Sequence, residues 1–184
     1  FLLLIGLWQA LVSIFTLPTY LFPSPMAVFE RLLQHTDLLL SHAKVTLIEI
    51  ALGLICGFIL GLISALLLTL SRRVSAFLMP LLVISQAVPV FAIAPLLVLW
   101  LGYGMASKIA MAVLIIYFPV TAACYDGLRN TSQSWLQLAQ TLQISPQAML
   151  FKVRLPAALP ALASGLRIAV SIAPIGAVVG EWVG

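Results

Sequence analysis

Few side chains in this sequence could do chemistry, and most of those stand among apolar neighbours. Glu49 and Arg167 are ionisable residues inside long hydrophobic runs. A charge there is costly, so it marks a contact with an ion or solute, or a side chain reaching back to the membrane boundary. Glu49 lies near the end of its run, within reach of water, whereas Arg167 lies deeper in its own and has Asp126 as a candidate partner. Ser85 and Gln86 stand beside two prolines in Ser85-Gln-Ala-Val-Pro-Val-Phe-Ala-Ile-Ala-Pro95. A helix broken at membrane depth frees backbone groups that need water, protein or a ligand. The segment therefore suits a gate or solute path, or a kink whose polar side chains bond a neighbouring helix. Glu49, Ser85, Gln86 and Pro89 are the candidate substrate path. The apolar runs hold no His, and the chain has neither His-Glu-x-x-His nor a Gly-x4-Gly-Lys-Ser/Thr phosphate loop. No enzyme activity, cofactor or metal site is expected.

The remaining chemistry is recognition. Gln137-Leu-Ala-Gln-Thr-Leu-Gln143, nine further residues and Val153-Arg-Leu-Pro156 form a polar stretch between two apolar runs. After the cap candidates Asn130, Thr131 and Ser132, the residues Trp135, Leu138, Ala139 and Leu142 fall at i, i+3, i+4 and i+7. That spacing predicts a short helix with an apolar stripe. Ser145-Pro146 starts a second helix, which Pro156 is expected to end. Such a stripe either grips another protein or packs on the chain's own span ends.

These segments must be positioned by helices in lipid. Of 184 residues, 63% are hydrophobic and 8% charged, with a mean hydropathy of +1.19. A soluble domain is nearer one quarter charged, so the fold class is an all-α polytopic membrane protein. Spans are expected over Phe1–Leu17, Val45–Leu70, Ile109–Tyr125 and Ala157–Val179. The 34 uncharged residues Val74–Ser107 would make a helix of roughly 50 Å against a hydrocarbon core of about 30 Å, and must bend or break. Pro80, Pro89 and Pro95 offer the places. Ser24-Pro25 predicts a short interfacial helix over Met26–Leu33. Residues 1–44 are thus a first span and outer interfacial helix. Residues 45–184 are a transmembrane core with a cytoplasmic loop at 126–156. Gly53, Gly57 and Gly61, four apart, put a smooth face on one span for close packing, within the subunit or between subunits. Cys56 and Cys124 read as small packing residues.

Basic residues set the orientation. With a cytoplasmic N-terminus, Arg72, Arg73, Arg129, Lys152 and Arg154 lie inside, against Arg31, Lys44 and Lys108 outside.

The stretch Gln137–Pro156 resembles the EAA loop of bacterial ABC importer permeases, whose pattern is Glu-Ala-Ala, three residues, Gly, nine residues, an aliphatic, any residue and Leu-Pro. Here Gln137-Leu138-Ala139 stands for the first part, Gln143 for the glycine and Val153-Arg154-Leu155-Pro156 for the last. Three more segments resemble the nitrate/sulfonate/taurine-type permeases: Phe22-Pro-Ser-Pro25, Ala94-Pro-Leu-Leu-Val-Leu-Trp-Leu-Gly-Tyr-Gly104 with Ser107-Lys108, and Leu155-Pro-Ala-Ala-Leu-Pro160 with Gly165-Leu-Arg167. Ser85-Gln86-Ala-Val-Pro89 and Glu49 resemble the branch that moves thiamine-precursor pyrimidines.

The resemblance implies the membrane subunit of an ATP-driven importer in the bacterial inner membrane. Five spans are visible and a sixth is expected after Gly184. It implies a separate ATP-binding subunit, a second permease subunit (a homodimer) and an extracytoplasmic substrate-binding protein. The expected cargo is a small organic solute such as a pyrimidine, with sulfonate, taurine or nitrate as alternatives. Trp135, Gln137, Leu138, Ala139, Leu142, Gln143, Val153, Leu155 and Pro156 would couple to the ATPase. Gln137 removes the family's charge. Gln143 stands where glycine takes positive φ, at a cost on the order of 1 kcal/mol if that geometry is kept. A secondary transporter or channel subunit is the alternative of another class, but the spans show neither a charged relay nor a filter.

Overall fold

The computed structural model describes residues 2–16 and 18–183. Phe1, Leu17 and Gly184, which bound runs named above, lie outside the described residues, as does the side chain of Arg72. The described residues form nine α-helices and one π-helical turn, with no strand among them. The chain divides into two compact units, Phe1–Val45 and Thr46–Gly184.

The first unit holds α1 (Leu2–Phe15), α2 (Pro25–Gln34) and the start of α3 (Thr36–Leu70). Trp8 Nε1 donates to the Pro23 carbonyl at 3.1 Å and its ring lies 5.9 Å from that of Phe22, which ties the Pro-rich linker back onto α1. Ser24 Oγ accepts from the Ala27 amide, and Pro25 occupies the first turn, where a missing N–H costs nothing.

The second unit continues through α4 (Arg72–Ser85), α5 (Val90–Leu101), α6 (Met105–Arg129), α7 (Gln133–Thr141) and α8 (Pro146–Met149). A π turn (Leu150–Arg154) and α9 (Leu155–Val183) complete it. Three helical stretches are long and apolar enough to cross a membrane: Thr36–Leu70, Met105–Arg129 and Pro146–Val183. A bent pair, Arg73–Ser85 with Val90–Leu101, raises the number to four if counted as one span. Its two halves meet at 101°. Of the three prolines offered as break points, Pro89 marks the break, while Pro80 and Pro95 sit inside α4 and α5. Gly102 at φ 80° and Gly104 at φ 140° make the turn into α6, a backbone path that a Cβ disfavours.

The core is α3, α6 and α9, joined by close backbone approach. A Cβ on Gly53, Gly57 or Gly61 would lie 2.6 Å from Ala112 Cβ, 2.7 Å from Ile116 Cγ2 or 2.8 Å from Val120 Cγ1. The smooth face of α3 is therefore filled by α6 of the same subunit. On α9, a Cβ at Gly165 would meet Ala123 Cβ at 2.5 Å and the Pro119 carbonyl oxygen at 2.8 Å. In lipid there is little hydrophobic drive between helices, so this tight van der Waals packing holds them together. Cys124 is buried in the core, but Cys56 is exposed on α3 rather than packed.

One expectation about helix ends is corrected. Pro156 does not end the loop's second helix, which runs on from Pro146 to Val183. The π turn is the reason. It carries the Leu155 amide to the Leu150 carbonyl, one residue further back than an α-turn. The wider turn gives the Pro156 ring room without breaking the rod.

Candidate functional site

The loop after α6 is built as a presented helix. Thr131 Oγ1 donates to the Leu128 carbonyl at 3.1 Å, closing α6. Ser132 takes the cap position of α7 without a side-chain cap bond, so none of Asn130, Thr131 and Ser132 caps it through its side chain. Ala139 is 3% exposed and anchors α7, which packs against the π turn. The other three stripe residues face outward: Trp135 is 55% exposed, Leu138 62% and Leu142 65%. The stripe does not pack on the chain's own span ends. Gln137 is exposed, Val153 and Leu155 are half-buried, and Pro156 is exposed.

The end of α7 is closed by a double backbone cap. The Gln143 amide donates to the Gln140 carbonyl at 2.9 Å and the Ile144 amide to the Ala139 carbonyl at 3.1 Å. This pattern needs a left-handed residue, and Gln143 supplies it at φ 53°. The positive-φ turn expected at this position is thus made with a glutamine. Ser145 Oγ then accepts from the Ala148 amide at 3.3 Å, and the chain turns into α8.

The four substrate-path candidates do not form one site. Ser85 and Gln86 line a cavity of about 180 Å³ at the α4–α5 break, closed by Ile115 and Pro119 of α6 and Ile172 of α9. Pro89 forms the break but is not among its lining residues. Ser85 Oγ donates to the Leu82 carbonyl at 2.7 Å, and Gln86 Nε2 reaches Ser85 Oγ at 3.5 Å. Neither side chain bonds a neighbouring helix. Backbone groups freed by the break bond locally, Ala87 to Ile84 and Val88 to Ser85, so the break survives at membrane depth.

Glu49 sits apart, and not as a solvated end residue. It is 1% exposed, on the buried face of α3 that continues through Gly53, Gly57 and Gly61. Lys108 Nζ lies 3.6 Å from its Oε1, an ion pair too long for a hydrogen bond. Neither carboxylate oxygen has a hydrogen-bond partner. Glu181 also faces Glu49 and accepts a hydrogen bond from Thr46 Oγ1. Sequence reasoning missed this cluster although the signal was there: Glu49 stands four residues before Gly53, on the face that must be buried. Arg167 is exposed on α9 and makes no ion pair with Asp126.

Residues 57–184 match the family described as binding-protein-dependent transport system inner membrane component. The chain belongs to it. It is an ABC importer permease of the nitrate/sulfonate/taurine type, a multi-pass protein of the inner membrane. The "probable ABC transporter permease protein" of Haemophilus influenzae is 70% identical over 181 residues, 98% of this permease and 74% of its relative. The formylaminopyrimidine transport permease protein ThiX of Halalkalibacterium halodurans is 40% identical over 185 residues, covering 100% and 74%. The riboflavin transport system permease protein RibX of Chloroflexus aurantiacus is 39% identical over 183 residues, covering 98% and 68%. More distant relatives are named for taurine and bicarbonate transport.

Proposed function

We propose that this permease forms half of the substrate path of an ATP-driven importer, and that α7 is the element through which a separate ATPase subunit moves it. The outward row Trp135, Leu138 and Leu142 carries the reading. Three large apolar side chains held in water on a capped helix fit an apolar groove on a partner, a helix-in-groove contact. Gln137, Ala139, Gln143, Val153, Leu155 and Pro156 shape and brace that contact. The basic residues of the loop support a cytoplasmic side for it, where ATP is found. Counting Leu2–Phe15 and the bent α4–α5 pair as spans gives five. Two copies of the chain would enclose the path, and an extracytoplasmic binding protein would deliver the solute.

Closure of an ATPase pair would pull α7 and, through the continuous helix from Pro146 to Val183, shift the spans between two states. Coupling requires only that ATP favour one of them. The cargo we favour is a pyrimidine of the thiamine-precursor kind, supported by the likeness to ThiX over the whole chain. The cavity at Ser85 and Gln86 then lies on the solute path, where the exposed Gln86 amide can both donate and accept hydrogen bonds.

Leu138→Glu or Leu142→Glu should abolish co-purification of the ATPase subunit while membrane insertion is unchanged. Normal co-purification with either variant would sink the coupling role.

A further inference from the structure

A second cavity, of about 510 Å³, lies where the spans meet the coupling loop. Its wall is assembled from the last turn of α3 (Thr69), the first turn of α4 (Ser75), the last turns of α6 (Tyr125, Arg129), α7 (Gln133) and the π turn (Arg154). Every one of these is a helix end or a loop element, so the cavity sits at the depth where apolar spans give way to water. Two guanidinium groups line it and no carboxylate does. Neither arginine has a carboxylate within ion-pairing distance among the described residues. The Arg154 Nε is shut off from solvent and has no hydrogen-bond partner.

The neutral polar groups fit the same sign of ligand. The Ser75 and Tyr125 hydroxyls are 2.5 Å apart, so one donates to the other and leaves one free hydroxyl hydrogen. The Gln133 amide adds further donors. Thr69 has spent its hydrogen on the Ala65 carbonyl. A buried donor left unmade is expensive, and a guanidinium fork matches phosphate oxygens. An apolar occupant would leave the buried Arg154 Nε unpaired.

We propose that this cavity binds a phosphate group, held between Arg129 and Arg154, which fastens α7 and the π turn to the inner ends of α3, α4 and α6. The phosphate belongs to an anionic phospholipid headgroup or to soluble phosphate. A ligand here touches both the coupling helix and the spans, so its occupancy bears on how firmly one moves the other.

The test uses the full-length permease in neutral detergent. Native mass spectrometry measures retention of phosphatidylglycerol against phosphatidylcholine, and calorimetry measures binding of inorganic phosphate. Arg129→Gln, a change at an exposed residue, should weaken binding about tenfold. Arg129→Lys should keep part of it, and Lys152→Gln, on the same loop but outside the cavity, should leave it unchanged. Arginine-dependent retention of phosphatidylglycerol alone assigns a lipid headgroup, and arginine-dependent binding of inorganic phosphate assigns a soluble source. Binding of neither probe, or equal loss with Lys152→Gln, overturns the proposal. So does a carboxylate of the ATPase subunit found between the two arginines in the assembled transporter.

Discussion

Where α6 begins, Glu49, Lys108, Glu181 and Thr46 gather from three helices: the buried Glu49 is ion-paired with Lys108, and Thr46 donates to the exposed Glu181. Where α6 finishes, Arg129 and Arg154 line a cavity without a carboxylate, and Trp135, Leu138 and Leu142 stand in water nearby. Both ends carry polar groups that lipid would reject. At the first end the chain supplies a cation for its buried carboxylate, with Gly180 bringing α9 so close that a Cβ there would lie 3.0 Å from Lys108 Cα. The second end is left incomplete in charge and in apolar cover. A buried charge that meets its opposite within the chain is a structural contact, whereas two arginines without a carboxylate leave that place open to a group from outside.

The difference can be broken most severely at the ion-paired end. Lys108→Met leaves the Glu49 carboxylate buried beside Glu181 with no cation, and should cost about 3 kcal/mol of stability. Thermal unfolding of the purified protein measures it, and the double variant Glu49→Leu/Lys108→Met should recover most of the loss. An unchanged midpoint for the single variant would mean that the cluster is not a structural lock. At the loop end, Gln143→Gly relieves a left-handed glutamine and should raise stability by up to about 1 kcal/mol in the same measurement. A fall would show that the glutamine side chain contributes more than its backbone costs. The smallest effect sharpens the contrast: Arg129→Gln should change the stability of the purified permease by no more than about 0.5 kcal/mol. A loss near that of Lys108→Met would erase the distinction between the ends.

Much of this was legible in the sequence. Composition gave the class, and the loop's stripe and its two helices follow from spacing and from Ser145-Pro146. Gln143 could be placed at the turn because the motif spacing is intact, although only the backbone shows that it takes φ 53°. What sequence reasoning lost are facts about neighbours distant along the chain. Glu49 reads as solvated from its place along the helix, and the face it occupies is what buries it. Its partners lie 59 and 132 residues away, at Lys108 and Glu181. Pro156 looked like a terminator because a proline ends an α-helix, and the π turn that accommodates it has no signature in residue type. The cavity between Arg129 and Arg154 needs five segments brought together, and no single window of sequence contains it.

That π turn has a consequence for how the loop and α9 are geared. A π turn is in effect one surplus residue threaded into an α-helix. Taking one residue out of Leu150–Arg154 would restore a plain α-helix, and would turn α8 about 100° around the axis of α9. α7, tied to α6 through residues 130–132 and to α8 through residues 142–145, would be pulled between the two. The surplus residue therefore works as an indexing pin: it sets the angle between α8 and α9 at which α7 can bridge back to α6.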